Sequence, residues 1–334
     1  MTQARSTLID YQATRYYHTI SRCIRRAYLC GKDELTGKSF EHRRQWLVDR
    51  FKFLAANFTI DICAYAVMSN HYHLVLKVDT DESESMSDDA VIKRWTTVYT
   101  GGNVLVERHQ AGAASEAESR AAKTTIDKWR TRLSSISWFM GSLNQHIASR
   151  ANKEDQCTGH FWESRFKSQA LLDDMAVLGC MMYVDLNPVR AGIAKGLGDS
   201  EFTSIQERIK AFSDAKKVSE QVKNESNEEA PNNTVFQPKS LLPFTANNAA
   251  NGIHFSLIDY LALVETTDRC VHPRKKGYID AEQLCVLKSL NIDEDEWLEL
   301  VQNFEGKFAG FAGKASMLYF HANQNGQLFH SGVG

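Results

Sequence analysis

The chain has 334 residues, 43% of them hydrophobic, and a formal net charge of -2 at pH 7. This composition is typical of a globular protein with a buried core. No run approaches the roughly 20 apolar residues that a membrane-spanning helix needs, and the first residues lack the apolar segment of a secretory signal. We therefore expect no membrane segment and a cytoplasmic location. The seven cysteines form no CxxC pair, which argues against a disulfide framework and a cysteine zinc site.

Two regions of the chain are basic, although the net charge of the whole chain is close to zero. Residues 1–60 contain eleven Lys or Arg against five Asp or Glu, and residues 128–172 contain seven against three. The balancing acidic residues lie at 79–89, between 201 and 230, and in the last third of the chain. An excess of this size occurs more often on a solvated surface than in a nucleic-acid groove, so both interpretations stay open.

The first part of the chain has the pattern of an antiparallel α+β unit. Tyr16–Arg22 is predicted as a strand, residues 42–57 as an amphipathic helix, and residues 59–67 and 71–78 as two strands joined by a tight turn. Alternate residues of a strand face opposite sides of the sheet. His71 and His73 are therefore expected on one face of the last strand, and Tyr72 and Leu74 on the other.

Helical patterns and one polar segment follow. A helix is predicted over about 134–150, and another begins at Asp173 or Asp174, runs through Tyr183 and is broken at Pro188. Residues 213–240 are rich in Ser, Asn, Glu and Lys and have few core residues. We predict a domain over residues 1–212, a flexible polar linker over 213–249, and a small helical accessory domain over 250–334.

His71 and His73 are two apart on a predicted strand, so their imidazoles can reach one metal ion. Such a pair is more often a surface or hydrogen-bonded pair than a ligand set, and a third ligand is needed. Tyr183 and Asn187 are four apart, so they are neighbours on one helix face, and an amide oxygen could complete a mixed site for Mg²⁺ or Mn²⁺. The alternative is a half-buried core aromatic followed by a helix cap.

Several motifs resemble the single-tyrosine HUH transposases, in the branch of REP-associated tyrosine transposases. The resemblance covers roughly residues 10–210 in collinear order, and its most distinctive parts are NHYHLVL and YVDLNPVRAGI, which accompany YYHTISRCIRRAYLCGKD, HRRQWLVDRFKFLA and GHFWESRFKSQALLD. The implied fold is α+β, an antiparallel ferredoxin- or RRM-like sheet with helices on one face. The stretch at about 99–127 is longer than in compact members, and the C-terminal region is outside the minimal catalytic unit.

The resemblance also implies an activity and a site. It implies that His71, His73 and Asn187 hold Mg²⁺ or Mn²⁺ and that Tyr183 attacks single-stranded or hairpin DNA to form a 5′-phosphotyrosine. The oligomeric state is expected to be monomer or homodimer. Lys and Arg side chains would contact phosphates, and we predict this role for Arg22, Arg25, Arg26, Arg43, Arg44, Arg165 and Lys167. Phe161 and Trp162 could stack on bases, although both are expected first as core residues.

Two other functions remain open at this stage. The chain could be a catalytically silent hairpin-binding regulator derived from a transposase, although the presence of all four proposed site residues argues against decay. It could also be an unrelated hydrolase in which the histidine pair holds a metal that activates water. In that case the hydroxyl of Tyr183 would be dispensable.

Overall fold

A five-stranded sheet forms the centre of the computed structural model, which describes residues 8–24, 29–33, 37–225, 240–245, 251–271, 287–288 and 292–330. The strand order is β2-β3-β1-β4-β5. The strands are β1 (Tyr16–Arg22), β2 (Ile60–Val67), β3 (His71–Val78), β4 (Lys167–Leu171) and β5 (Phe311–Ala312). The first four are paired antiparallel, whereas β5 runs parallel to β4. The predicted mixed α and β composition is confirmed, and the ferredoxin-like classification stays a prediction.

The helices in the described residues surround this sheet. They are α1 (His42–Ala55), α2 (Thr80–Ser85), α3 (Asp88–Val98), α4 (Val104–Gln110), α5 (Glu116–Leu133), α6 (Ile136–Glu154), α7 (Asp174–Asp185), α8 (Asn187–Arg190), α9 (Ser204–Glu225), α10 (Leu257–Val271), α11 (Glu294–Lys307) and α12 (Ala315–Gln324). The predicted strands at 16–22, 59–67 and 71–78 and the helix at 42–57 are confirmed to within two residues. None of the helices in the described part of the chain has the length and apolar character needed to span a bilayer.

Helices cover both faces of the sheet, so the expectation of helices on one face is wrong. On one face, Phe51 of α1 packs against Tyr65 of β2 with ring centroids 4.9 Å apart, and Asn144 of α6 accepts a hydrogen bond from Tyr72. On the other face, the ring of Tyr183 in α7 lies 5.8 Å from that of His73. Both faces of the central strands are apolar enough to be buried, which requires cover on each side.

The C-terminal residues extend the same core. Ala170 and Leu171 of β4 pair with Phe311 and Ala312 of β5, and Leu300 of α11 lies so close to α7 that a Cβ on Gly179 would be 2.5 Å from its Cδ2. Leu242 donates a backbone hydrogen bond to Ile62 of β2 at 2.8 Å. Helix α9 reaches Glu225, inside the segment predicted as a linker. The domain boundaries stay a prediction, and the described C-terminal elements lie against β4 and α7.

Candidate functional site

His71 and His73 lie on the face of the sheet that α7 covers, which we call the histidine face. Their rings are 4.8 Å apart, centroid to centroid. His73 is fully buried, and His71 is partly exposed at the start of β3. Tyr72, between them, points to the opposite face, where its hydroxyl donates to Asn144 Oδ1 at 2.6 Å. The predicted alternation of the strand is therefore confirmed, and Tyr72 is excluded from the site.

Helix α7 brings Tyr183 to these histidines. The helix begins where the Asp173 side chain accepts a hydrogen bond from the Ala176 backbone at 2.8 Å, as the sequence predicts. It ends at Asp185, so Asn187 lies in the next short helix, α8, and not in the helix of Tyr183 as expected. The chain nevertheless keeps turning, because Arg190 N bonds to Leu186 O. Asn187 Nδ2 consequently reaches His73 Nε2 at 3.0 Å.

A third histidine, His18 of β1, belongs to the same cluster and was missed by the sequence argument. Its Nε2 lies 2.9 Å from His73 Nδ1, and its Nδ1 lies 2.6 Å from Gln169 Oε1. The register places His18 opposite Gln169 of β4 and opposite Val75 of β3, two residue pairs from His73 and on the same face of the sheet. The sequence could have indicated this residue, because His18 is a polar residue in the middle of a buried strand. Its role could not be inferred without knowing which strands lie beside β1.

Burial keeps these imidazoles neutral. Burial lowers the pKa of His18 to about 4, and burial together with the Arg22 charge lowers the pKa of His71 to about 4. Burial, followed by the neighbouring histidines, holds the pKa of His73 well below its usual value. Neutral imidazole is the form that binds metal ions or accepts hydrogen bonds, so the cluster is in that form at neutral pH.

Two charged residues flank Tyr183. Glu305 of α11 accepts a hydrogen bond from the Tyr183 hydroxyl at 3.3 Å, and the Arg190 guanidinium lies 4.4 Å above the ring. Burial raises the pKa of Tyr183 to about 12; Glu305 adds to this rise and Arg190 opposes it. The phenol is therefore neutral at physiological pH, and the attack of its oxygen on a phosphate requires loss of the proton.

The predicted metal ligands fit a divalent ion by their chemistry. In the described residues no three His, Cys, Asp or Glu side chains come together as a metal site. The predicted ligands are instead two imidazoles and one amide. His71 Nδ1 is hydrogen-bonded to Asn70 Oδ1, which leaves its Nε2 for a ligand, and His73 Nε2 faces the amide of Asn187. Two nitrogens and an amide oxygen suit Mn²⁺ or Mg²⁺ once Asn187 presents Oδ1.

The predicted phosphate contacts divide into exposed and buried residues. Arg22, Arg165 and Lys167 are exposed around the histidine face. The Arg43 side chain is completely buried and pairs with Glu154 and Asp155. Arg44 pairs with Glu41 and also donates to the backbone of Val67. Neither Arg43 nor Arg44 presents its charge to solvent, so we withdraw both from the DNA contacts. Arg25 and Arg26 lie outside the described residues.

A cleft of about 920 Å³ opens beside the cluster. His18, Gln169 and Glu305 line this cleft, and Glu305 also accepts the hydrogen bond from the Tyr183 hydroxyl. Its other lining residues are of mixed character and include Arg165, Lys167 and Phe329. Phe161 is buried, as its interpretation as a core residue predicts.

No family model and no curated protein matches the sequence. One solved structure that resembles the fold is a REP-associated tyrosine transposase bound to a REP hairpin. The sequences are 12% identical, the match covers 63% of this chain and 86% of that chain, and the TM-score is 0.36. A likeness of this size carries no argument about activity.

Proposed function

We propose that this chain is a metal-dependent single-stranded DNA nuclease and strand transferase that uses Tyr183 as its nucleophile. The observation that carries the proposal is the convergence at His73. Its ring lies 5.8 Å from that of Tyr183, 4.8 Å from that of His71, and its Nε2 lies 3.0 Å from the Asn187 amide. The motifs that resemble REP-associated tyrosine transposases contribute the same four residues. We also propose that the chain belongs to the REP-associated tyrosine transposases and that it is located in the cytoplasm.

The chemistry assigned to the chain is a transesterification. The Tyr183 oxygen forms a bond to the phosphorus of a diester while the bond from phosphorus to the 3′ oxygen breaks, which yields a 5′-phosphotyrosine and a 3′-hydroxyl. The phenol proton passes to solvent, and the departing 3′ oxygen takes up a proton. Attack of a 3′-hydroxyl on the phosphotyrosine reverses these bonds and rejoins the strand. The ester keeps the energy of the original bond, so no nucleotide cofactor is consumed.

The remaining residues bind and orient the substrate. His71, His73 and Asn187 would hold Mg²⁺ or Mn²⁺, which when bound polarises a non-bridging phosphate oxygen and stabilises negative charge. Arg22, Arg165 and Lys167 would contact the DNA backbone. The proposed substrate is a DNA hairpin with an adjacent single strand, as the resemblance to the REP-associated tyrosine transposases implies.

Covalent capture tests the proposal. Purified protein is incubated with labelled hairpins that carry single-stranded flanks, with Mn²⁺ or Mg²⁺ and with EDTA, and a protein–DNA adduct is sought under denaturing conditions. Tyr183→Phe should abolish the adduct and keep DNA binding. Tyr72→Phe is the matched control, since it removes one hydroxyl from the opposite face of the sheet. Mass spectrometry should place a 5′-linked nucleotide on the peptide containing Tyr183.

A silent hairpin-binding regulator is the second candidate. The observation that favours it is the environment of Tyr183: the residue is only 7% exposed, and its hydroxyl donates a hydrogen bond to Glu305. In the same assay this candidate predicts metal-independent hairpin binding with no adduct, under every combination of metal and DNA flank.

A further inference from the structure

Gln169, His18 and His73 form a buried series of hydrogen bonds in which the donor and the acceptor of each bond can be assigned. The assignment begins at Gln169, whose Nε2 donates to the backbone oxygen of Phe308 at 2.6 Å. A carbonyl can only accept, so the amide nitrogen must face Phe308 and the amide oxygen must face His18. The opposite orientation would set two acceptor oxygens against each other in a buried site, at the cost of a lost hydrogen bond.

The next link follows from that orientation. Gln169 Oε1 lies 2.6 Å from His18 Nδ1 and can only accept, so His18 carries its proton on Nδ1. His18 is fully buried, and a charged imidazolium there would have to be desolvated. The neutral ring therefore has a lone pair on Nε2. Its partner, His73 Nδ1 at 2.9 Å, must donate the hydrogen bond.

His73 is thereby left with a single arrangement. Its proton is on Nδ1, and the lone pair of its Nε2 points to the Asn187 amide 3.0 Å away. The rings of His18 and His73 are within 11° of parallel with centroids 5.2 Å apart, a separation that fits an in-plane hydrogen bond between the two facing nitrogens. Groups that hold a metal-binding imidazole in one tautomer also fix its ring orientation and raise its basicity as a ligand.

We propose that His18 and Gln169 are positioning residues for the site: they hold His73 as the Nδ1–H tautomer, so that Nε2 is the atom offered to a divalent cation. This inference rests on the proposed function for the role of His73. The two positioning residues lie on β1 and β4. The Phe308 carbonyl, directly after α11, fixes which groups donate and which accept in their hydrogen bonds. His71 reaches the same state independently, through Asn70.

The experiment measures the tautomer in the metal-free full-length protein. Long-range ¹H–¹⁵N spectra of protein labelled at histidine report which ring nitrogen is protonated, and the His73 signals are assigned by their loss in His73→Asn. Wild-type protein should show His73 protonated at Nδ1. His18→Leu and Gln169→Met should give a mixture or the other tautomer, whereas His18→Gln keeps an acceptor for His73 and should retain the wild-type state.

Calorimetric titration with Mn²⁺ supplies the second measurement. Affinity should fall about tenfold or more in His18→Leu, a typical loss for a group behind a metal ligand, and recover in His18→Gln. His321→Leu is the matched control, because it removes a buried histidine that is hydrogen-bonded to His330, away from His73. Should His18→Leu fail to fold, Gln169→Met provides the same comparison.

Two results would overturn the inference: a wild-type His73 protonated at Nε2, or unchanged Mn²⁺ affinity in folded His18→Leu and Gln169→Met. Failure of the proposed function has a different signature. The tautomer and the Mn²⁺ affinities would follow the expected pattern, while no hairpin substrate gives an adduct on Tyr183.

Discussion

Glu305 Oε2 accepts a hydrogen bond from Tyr183 Oη at 3.3 Å, although 122 positions separate the two residues in the chain. The acceptor comes from α11, in the region predicted as an accessory domain, and Lys167 Nζ lies 3.6 Å from its other oxygen. A carboxylate here stabilises the neutral phenol and disfavours the phenolate. The C-terminal region therefore acts directly on the proposed nucleophile.

Glu305→Gln should make Tyr183 easier to deprotonate. The pKa of Tyr183 is raised to about 12, first by burial and then by Glu305, so removal of the negative charge lowers that pKa. Adduct formation that depends on the phenolate rises with pH, and its rise should begin at lower pH in the variant. The measurement is the initial rate of covalent capture against pH at fixed Mn²⁺. Glu299→Gln, on the exposed side of α11, is the control, and identical profiles for all three proteins would refute the expectation.

His18 should contribute a pH dependence to stability. Its pKa is lowered to about 4 in the folded protein, against about 6.5 in an unfolded chain. Between those values the unfolded state binds the extra proton, so stability present above about pH 6.5 is lost as the pH falls toward 4. His18→Gln removes this contribution, and its unfolding free energy should decline less steeply between about pH 7 and pH 5.

Urea unfolding of wild type and His18→Gln at matched pH values provides the measurement. Asp185 acts in the opposite sense, because burial raises its pKa to about 6. That carboxyl is present in both proteins, so the difference between their slopes reports His18 together with its effect on the neighbouring His71 and His73. Equal slopes would contradict the expected role of burial.

Packing of α11 on α7 depends on Gly179. A Cβ there would lie 2.5 Å from Leu300 Cδ2, and Leu300 is buried. Overpacking of this kind costs about 1–3 kcal/mol, more than the roughly 1 kcal/mol that alanine returns through helix propensity. Gly179→Ala should therefore destabilise the protein, and adding Leu300→Ala should cost less than the sum of the two single changes. Chemical denaturation measures each variant.

Gly141→Ala in α6 is the matched control for this pair. No atom lies within 4 Å of the Cβ it would add, so the substitution should stabilise the protein by about 0.5–1 kcal/mol. If Gly179→Ala stabilises the protein to the same extent, α11 does not pack on α7 in solution.

Arginine substitutions should separate stability from DNA binding. Arg43→Met removes a fully buried guanidinium that pairs with Glu154 and Asp155, and it should lower the free energy of unfolding by about 3 kcal/mol. The folded fraction of this variant should bind hairpins as tightly as the wild type. Arg165→Ala and Lys167→Ala should leave stability nearly unchanged. Each should weaken binding across DNA sequences and reduce the slope of log affinity against log salt by about 1. Unchanged salt dependence in both would remove them from the interface.

Local patterns in the sequence were sufficient for much of the fold and part of the site. The alternation of β3 placed His71 and His73 together and turned Tyr72 away. Apolar spacing identified α1 and α6, and a capping aspartate followed by a helix-breaking proline indicated α7. These features depend on backbone geometry within a few residues, which the sequence displays directly. Strand β4 was missed because its sequence, KSQAL, is mostly polar. Gln169 is nevertheless buried in this strand, where hydrogen bonds to His18 and Phe308 satisfy its amide.

Tertiary structure decided which distant residues join the site. His18 meets His73 through the register of β1 with β3, Glu305 reaches Tyr183 because α11 packs on α7, and Arg43 is buried against α6 instead of facing solvent. Each contact spans from 55 to 122 positions in the chain. The physical reason is that burial and partner choice depend on how whole elements pack, whereas the sequence near a residue specifies only the element and the face on which it lies.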